Sequence, residues 1–247
     1  MRTLSCVSAA FLLLDGRDKT PVLGASILVD GRRHRVMSKG DGHYVLTNLP
    51  PVPHVYEISA PHYQPVLRQL GPNEALPDIL PLQYAPDSTR LKGIPHYRLR
   101  FVCGGKPLSG QEIAAVLETP AGSLRVVEKA NRGERHVTLG AGYAVSMLYQ
   151  PFMTQDGELM LTGFDRASGQ YELRRPLEKG LAAGTLLRPL WRLETGPDGV
   201  AILPLIGQLM RQDELQLRFT CERGERVLSA APPDGACPLT VDFQEGS

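Results

Sequence analysis

Apolar and polar residues alternate with period two through most of this chain, in short runs separated by glycine, proline and aspartate. That pattern predicts strands and tight turns, not helices. Ile27 and Val29 form one half-buried strand, preceded by Gly24-Ala25, small residues suited to a close strand crossing. Asp30-Gly31 then predicts a hairpin, because both central positions of a type I′ turn need positive φ and this dipeptide tolerates it. Asp41-Gly42 predicts a second reversal ahead of Tyr44 and Leu46. Val55, Tyr56 and Ile58 make a further strand, bounded by Pro50, Pro51, Pro53 and Pro61.

Residues 71–95 contain Pro72, Pro77, Pro81, Pro86 and Pro95 and read as an extended linker with one turn near Glu74 to Leu80. After it Tyr97, Leu99, Phe101 and Cys103 point one way while Arg98 and Arg100 point the other, ending at Gly104-Gly105. Pro107-Leu108-Ser109-Gly110 then echoes Pro21-Val22-Leu23-Gly24, and Thr195 to Leu203 copies the spacing of Ser38 to Leu46. These echoes predict a second sandwich over 96–247 whose middle strands are separated by an insertion at about 119–190, far above ordinary loop length. Its material is strand-like at Val137 to Tyr149, Leu159 to Leu161 and Tyr171 to Leu173, with a short helix over Leu177 to Leu187 weakened by Gly180 and Gly184. A rival echo, Leu99 to Cys103 against Leu217 to Cys221, would make the latter a first strand and divide the chain into three small domains; the hairpin spacing is the stronger signal.

Over residues 5–68 the run Pro21 to Val29, Gly42, Tyr44, Leu49-Pro50-Pro51 and Tyr63 resembles the carboxypeptidase regulatory-like family of transthyretin-like sandwiches. Val52-Pro53 and His62 replace glycines of that pattern, so the last loop is expected to take its own shape. The resemblance implies a transthyretin-like sandwich over 1–70; a weaker immunoglobulin-like resemblance covers 96–247. The expected fold is therefore all-β, with tandem β-sandwich domains, the second carrying a β-rich insertion. The family's members serve as adhesive, structural and sugar-binding modules, so the likeness implies a scaffold more than an activity.

With 27 basic against 26 acidic residues the chain has no field for gathering phosphates, and no nucleic-acid partner is expected. No apolar run reaches the ~18 residues of a membrane-spanning helix. Arg2 followed by Leu4 to Leu14 imitates a short secretory leader, but Asp15-Gly16 follows where a small-residue cleavage site is needed. We read it as the first strand, in a chain made in the cytoplasm and able to leave as part of a larger exported or virion-like particle. Cys6, Cys103, Cys221 and Cys237 show no metal-ligand spacing. Cys6 and Cys103 read as small core residues, and all four as thiols.

Chemistry is sparse. His34, His43, His54 and His62 lie in the first domain without H-x-H or H-E-x-x-H spacing and read as solvated strand-end residues. No nucleophile elbow, phosphate-binding glycine loop or carboxylate pair stands out, so no enzyme, metal or cofactor is expected. Glu118-Thr119-Pro120 invites comparison with pilin-type sandwiches that crosslink lysine to asparagine beside a glutamate, but it comes too early in strand order, and the crosslink is discounted. Arg32, Arg33 and Arg35 flank His34 in a basic knot after the first hairpin: charge protecting an edge strand is the favoured reading, contact with an acidic partner the alternative. Tyr143, Tyr149 and Tyr171 in the insertion could form a small aromatic platform. The expected function is that of a non-catalytic subunit or adaptor in a larger assembly, phage-tail-like or cell-surface, with other protein subunits as partners; the alternative is a module binding carbohydrate or another ligand.

Overall fold

The structure, a computed structural model, describes residues 6–72, 74, 76–140, 147–205, 209 and 213–244. The chain divides into two compact units, Met1–Arg90 and Leu91–Ser247. It is all-β, with single 3-10 turns at Thr89–Leu91 and Pro120–Gly122.

The first unit contains β1 (Val7–Asp15), β2 (Ser26–Val29), β3 (Arg32–Arg33), β4 (Val36–Ser38), β5 (His43–Thr47), β6 (His54–Ser59), β7 (Val66–Leu70) and β8 (Asp78–Leu82). They make two four-stranded sheets, in the orders β4-β5-β1-β8 and β3-β2-β6-β7. Phe11 and Leu13 of β1 and Tyr44 and Leu46 of β5 are buried, as are Ile27, Val29, Tyr56 and Ile58 of the other sheet. Phe11 meets Tyr56 edge-on at 5.1 Å, joining the sheets. Burial of each such side chain contributes about 1.5–3 kcal/mol.

Residues 71–95 are not a plain linker. Asp78–Leu82 form β8, which pairs in parallel with β1 from Phe11↔Asp78 to Asp15↔Leu82. Ile79, Leu80 and Leu82 supply the apolar surface, and Pro81 is tolerated because β8 is the sheet's last strand. Cys6, expected in the core, is exposed just before β1 begins.

The second unit contains β9 (His96–Cys103), β10 (Lys106–Pro107), β11 (Glu112–Leu117), β12 (Leu124–Arg125), β13 (His136–Thr138), β14 (Pro151–Thr154), β15 (Gly157–Asp165) and β16 (Gln170–Leu173). It continues with β17 (Leu186–Glu194), β18 (Val200–Pro204), β19 (Leu215–Cys221), β20 (Gly224–Ala230) and β21 (Ala236–Phe243). Its frame repeats the first unit. Strand β9 takes β18 antiparallel and β21 parallel, as β1 takes β5 and β8. The order β11-β19-β20 matches β2-β6-β7, so Leu217 to Cys221 is a late strand, as the hairpin spacing predicts. Phe101 and Phe219 meet edge-on at 5.4 Å.

The repeat holds at single atoms. Leu13 N–H donates to the Gly42 carbonyl at 3.0 Å and its own carbonyl accepts from Val22 N–H at 2.9 Å; Phe101 does the same with Gly199 at 2.9 Å and Leu108 at 3.0 Å. A Cβ on Gly42 would lie 2.8 Å from the Leu13 oxygen and 3.1 Å from Pro21 Cβ, and one on Gly199 would lie 2.6 Å from the Phe101 oxygen and 3.1 Å from Pro107 Cβ. Both glycines also have positive φ, 86° and 74°. In the first unit the Tyr44 hydroxyl donates to the Val22 carbonyl and accepts from Ala25 N–H, both at 3.1 Å. In the second, the matching carbonyl of Leu108 and N–H of Gln111 bond the hydroxyl of Thr195.

The insertion lies between β11 and β18, at the place occupied by β3 and β4 in the first unit. Strand β17 pairs with β11 as β3 pairs with β2. Its first half belongs to the insertion, where β12 and β14 pair with it. From β14 the pairing runs through β15 and β16 to β13, and a bridge between Leu139 and Val126 returns it to β12. The circuit is a small closed barrel with its own core, including Leu124, Val126, Val137, Phe152, Leu161, Leu173 and Leu187. Leu177 to Leu187 forms no helix: Leu181 bridges Ala130, Gly184 has φ 87°, and β17 begins at Leu186.

Gly199→Ala is expected to cost about 3 kcal/mol or more in chemical denaturation, since it adds a backbone clash to the left-handed φ. Gly31→Ala, at φ 73° with nothing within 4 Å of the new Cβ, is expected to cost only about 1 kcal/mol. Equal losses would contradict the packing role of Gly199.

Candidate contact surfaces

Asp30 (φ 50°) and Gly31 (φ 73°) make the predicted type I′ reversal, and it delivers Arg32 and Arg33 onto β3, the last strand of its sheet. Arg32, Arg33, His34 and Arg35 are all exposed, and the three arginines form no ion pair with a described residue. The turn is anchored from the other side by β6. Asp30 N–H donates to the Val55 carbonyl at 2.8 Å, and its carboxylate accepts from Val55 N–H at 3.0 Å and from His54 Nδ1 at 2.7 Å.

His54 was expected to be solvated; it is buried instead, and its Nε2 lies 3.1 Å from the Pro50 carbonyl. Both ring nitrogens therefore face acceptors. A neutral imidazole has one N–H and can satisfy only one of them, so this geometry selects the imidazolium. Bonding to Asp30 holds the His54 pKa above its usual value, opposed by burial and aided by Pro50. The Asp30 carboxyl is held below the usual range, first by the Val55 N–H and then by His54. No sequence spacing announces this pair, because the partners, one in a turn and one on a strand, lie 24 residues apart. The other first-unit histidines do not converge on it: His34 and His62 are exposed, and His43 sits 3.0 Å from Asp41. Among the described residues no group of three or more His, Cys, Asp or Glu is placed to hold a metal ion.

Of the three tyrosines of the predicted platform, Tyr171 is turned inward. Tyr171 is 8% exposed, pairs with Val137, and packs into the barrel interior with its ring 4.7 Å from Phe164. Strand alternation turns it inward, on the side of Leu173 and Val137. Tyr149 is half-buried in a turn with φ 63°, its N–H donating to the Leu161 carbonyl at 2.7 Å. Tyr143 lies outside the described residues. The barrel surface instead exposes Val127 and Phe164.

Two further constellations escaped sequence reasoning. Asp15, 2% exposed at the end of β1, accepts the hydroxyls of Tyr63 at 2.7 Å and Tyr84 at 2.6 Å on Oδ2, and the amides of Arg17 and Asp18 on Oδ1. Burial, and after it the hydrogen bond to Asp15, push both phenols well above their usual range. The two rings stack at 5.4 Å, and Arg90 Nη1 donates to the Tyr63 hydroxyl at 3.0 Å. In the adjoining loop burial lowers the Lys19 pKa to about 8 against the pull of Asp15 and Asp18, and its Nζ donates to the Gly16 carbonyl at 2.7 Å. In the second unit Glu118 binds Arg188 at 3.0 Å and Arg218 at 2.7 Å, while Arg192 joins Glu112 and Glu158. Glu118 is thus spent on two arginines. These groups close on one another across strands and knit the frame together.

No protein-family model matches the chain, and no curated protein matches it. Among solved structures it is similar to the Bacillus anthracis TIE protein, at 11% identity and a TM-score of 0.27, over 96% of this chain and 34% of that one. The chain spans about a third of that protein's length, and a likeness of this order carries no argument. No helix among the described residues is long and apolar enough to cross a membrane.

The His54–Asp30 pair gives a signed pH dependence. A raised His54 pKa stabilises fully below the usual 6.5 and the gain is lost as pH rises through the folded value; a lowered Asp30 pKa stabilises above 3.8 and is lost as pH falls through its folded value. The pair is strongest between those limits. The wild-type protein is expected to lose more stability than His54→Gln between pH 5.5 and pH 8 in matched urea titrations, and an identical loss in both would refute the imidazolium assignment.

Proposed function

We propose that the chain is a non-catalytic interaction subunit of a larger protein assembly, and that it touches its partners through the connection between β2 and β5 in the first unit and the equivalent connection between β11 and β18 in the second. The observation that carries this reading is where the two copies of the frame diverge. Their core strands agree down to single hydrogen bonds, whereas this connection is a short arginine-bearing edge in one unit and a whole barrel in the other. Connections of this kind carry function on a rigid scaffold, since they tolerate change without disturbing the core. The most connected polar groups, Asp15, Thr195 and Glu118, have their bonding capacity taken up by the frame. The transthyretin-like resemblance of residues 5–68 agrees with a module of this kind.

Crosslinking and mass spectrometry on the native source is expected to place partner contacts on residues 30–38 and on the barrel, including the neighbourhoods of Val127 and Phe164. Charge reversal of Arg32, Arg33 and Arg35 to glutamate is expected to change stability by no more than about 0.5 kcal/mol while removing the crosslinks at that edge. A protein that stays a monodisperse monomer with no partner, or whose crosslinks fall elsewhere, would overturn the assignment.

A further inference from the structure

The two units part company at one end of the sandwich, and the difference leaves a cavity. Leu13 and Phe101 are equivalent by their hydrogen bonds, so Asp15 and Cys103, each two residues on, are equivalent too. The register agrees: Asp15 pairs with Leu82 and Cys103 with Phe243 in the same parallel sense. In the first unit the space beyond this position is filled. Between β6 and β7 a long loop, closed by the pair Ile58↔Val66, carries Tyr63 over Asp15, where it stacks on Tyr84. In the second unit β19 and β20 are joined by the two-residue turn Glu222–Arg223, inside the pair Cys221↔Gly224, and nothing corresponds to the Tyr63 loop.

What remains is a cavity of about 680 Å³ with Cys103 on its lining, together with Lys106, Pro107, Leu108, Glu222 and Arg223. That volume lies within the range of small-molecule sites. Cys103 is a free thiol, 9% exposed, with no hydrogen bond to a described residue. Pro107 and Leu108 supply apolar wall, and Lys106 and Arg223 are exposed cations that pair with no described carboxylate. Glu222 is the single acid among the described lining residues, which together carry an excess of positive charge.

We propose that this cavity is a binding site for a small planar organic anion, an aromatic carboxylate in its simplest form. The flat apolar part takes the space that the Tyr63 ring occupies in the sister unit, and the carboxylate lies between Lys106 and Arg223, where Arg223 offers the paired donors that match it.

Cys103 reports on occupancy. In the full chain with Cys6, Cys221 and Cys237 changed to serine, the carboxylated aromatic disulfide dithiobis-nitrobenzoate is compared with the uncharged dithiodipyridine. In either case the Cys103 sulfur attacks one probe sulfur, the probe's S–S bond breaks, and one aromatic thiolate leaves. The anionic probe is expected to gain about tenfold over the neutral one relative to their ratio on the urea-unfolded protein. Lys106→Ala with Arg223→Ala is expected to abolish that gain, and benzoate to slow labelling where benzamide does not. Equal probe ratios in folded and unfolded protein, or equal protection by benzamide, would overturn the proposal. Should the serine variant fail to fold, peptide mapping of labelled wild-type protein reads the same ratio at Cys103 alone, with the same two outcomes.

Discussion

The first strand of each unit is held by one backbone contact repeated twice. A residue near its end, Leu13 or Phe101, donates to the carbonyl of a positive-φ glycine and accepts from the residue after a proline. The glycine lies so close that a Cβ would collide with the carbonyl oxygen of the strand. This fixes three segments at once: the strand, the hairpin turn that leads into its antiparallel neighbour, and the crossing segment that leads to the opposite sheet. The aromatic contacts between sheets, Phe11 on Tyr56 and Phe101 on Phe219, follow from the spacing so imposed.

Around that shared contact the two units solve one problem with different residues. The crossing segment leaves a carbonyl and an amide without strand partners, at Val22 and Ala25 in one unit and at Leu108 and Gln111 in the other. Leaving such a group unmet in the interior costs about 1–3 kcal/mol. A tyrosine reaching from the strand interior meets both in the first unit, and a threonine at the strand's approach meets both in the second. The requirement belongs to the backbone, so side chains of quite different size can fulfil it. Sequences can therefore drift while the frame stays.

The same logic explains why the connection from β2 to β5, and from β11 to β18, can differ so widely. It leaves and re-enters the frame at strand ends, and its only obligation is to supply a neighbour for the second strand. Two arginine residues do this in the first unit; β17 does it in the second, and its other half then anchors a barrel with a separate core. The charged groups of the second unit's large sheet reinforce this junction, since Arg188 and Arg192 of β17 pair with Glu118 and Glu112 next to or within β11.

Local chemistry made much of this legible from the residues alone. Asp-Gly at 30–31 and 41–42, and the spacing repeated at 195–203, announced reversals because few other residues accept those dihedrals, and period-two alternation announced the strands between them. The all-β class followed. The fate of residues 78–82 did not: a proline-rich apolar stretch reads as linker until β1 offers it a parallel partner. Nor did the inward turn of Tyr171, which depends on the closure of a barrel, or the burial of His54, which depends on Asp30 arriving from a turn distant in the chain. The composition told which turns were possible because φ is a property of single residues. Which side chains meet, and which space the described residues leave open beside Cys103, are properties of pairs far apart in the chain, and only the packed sheets decide them.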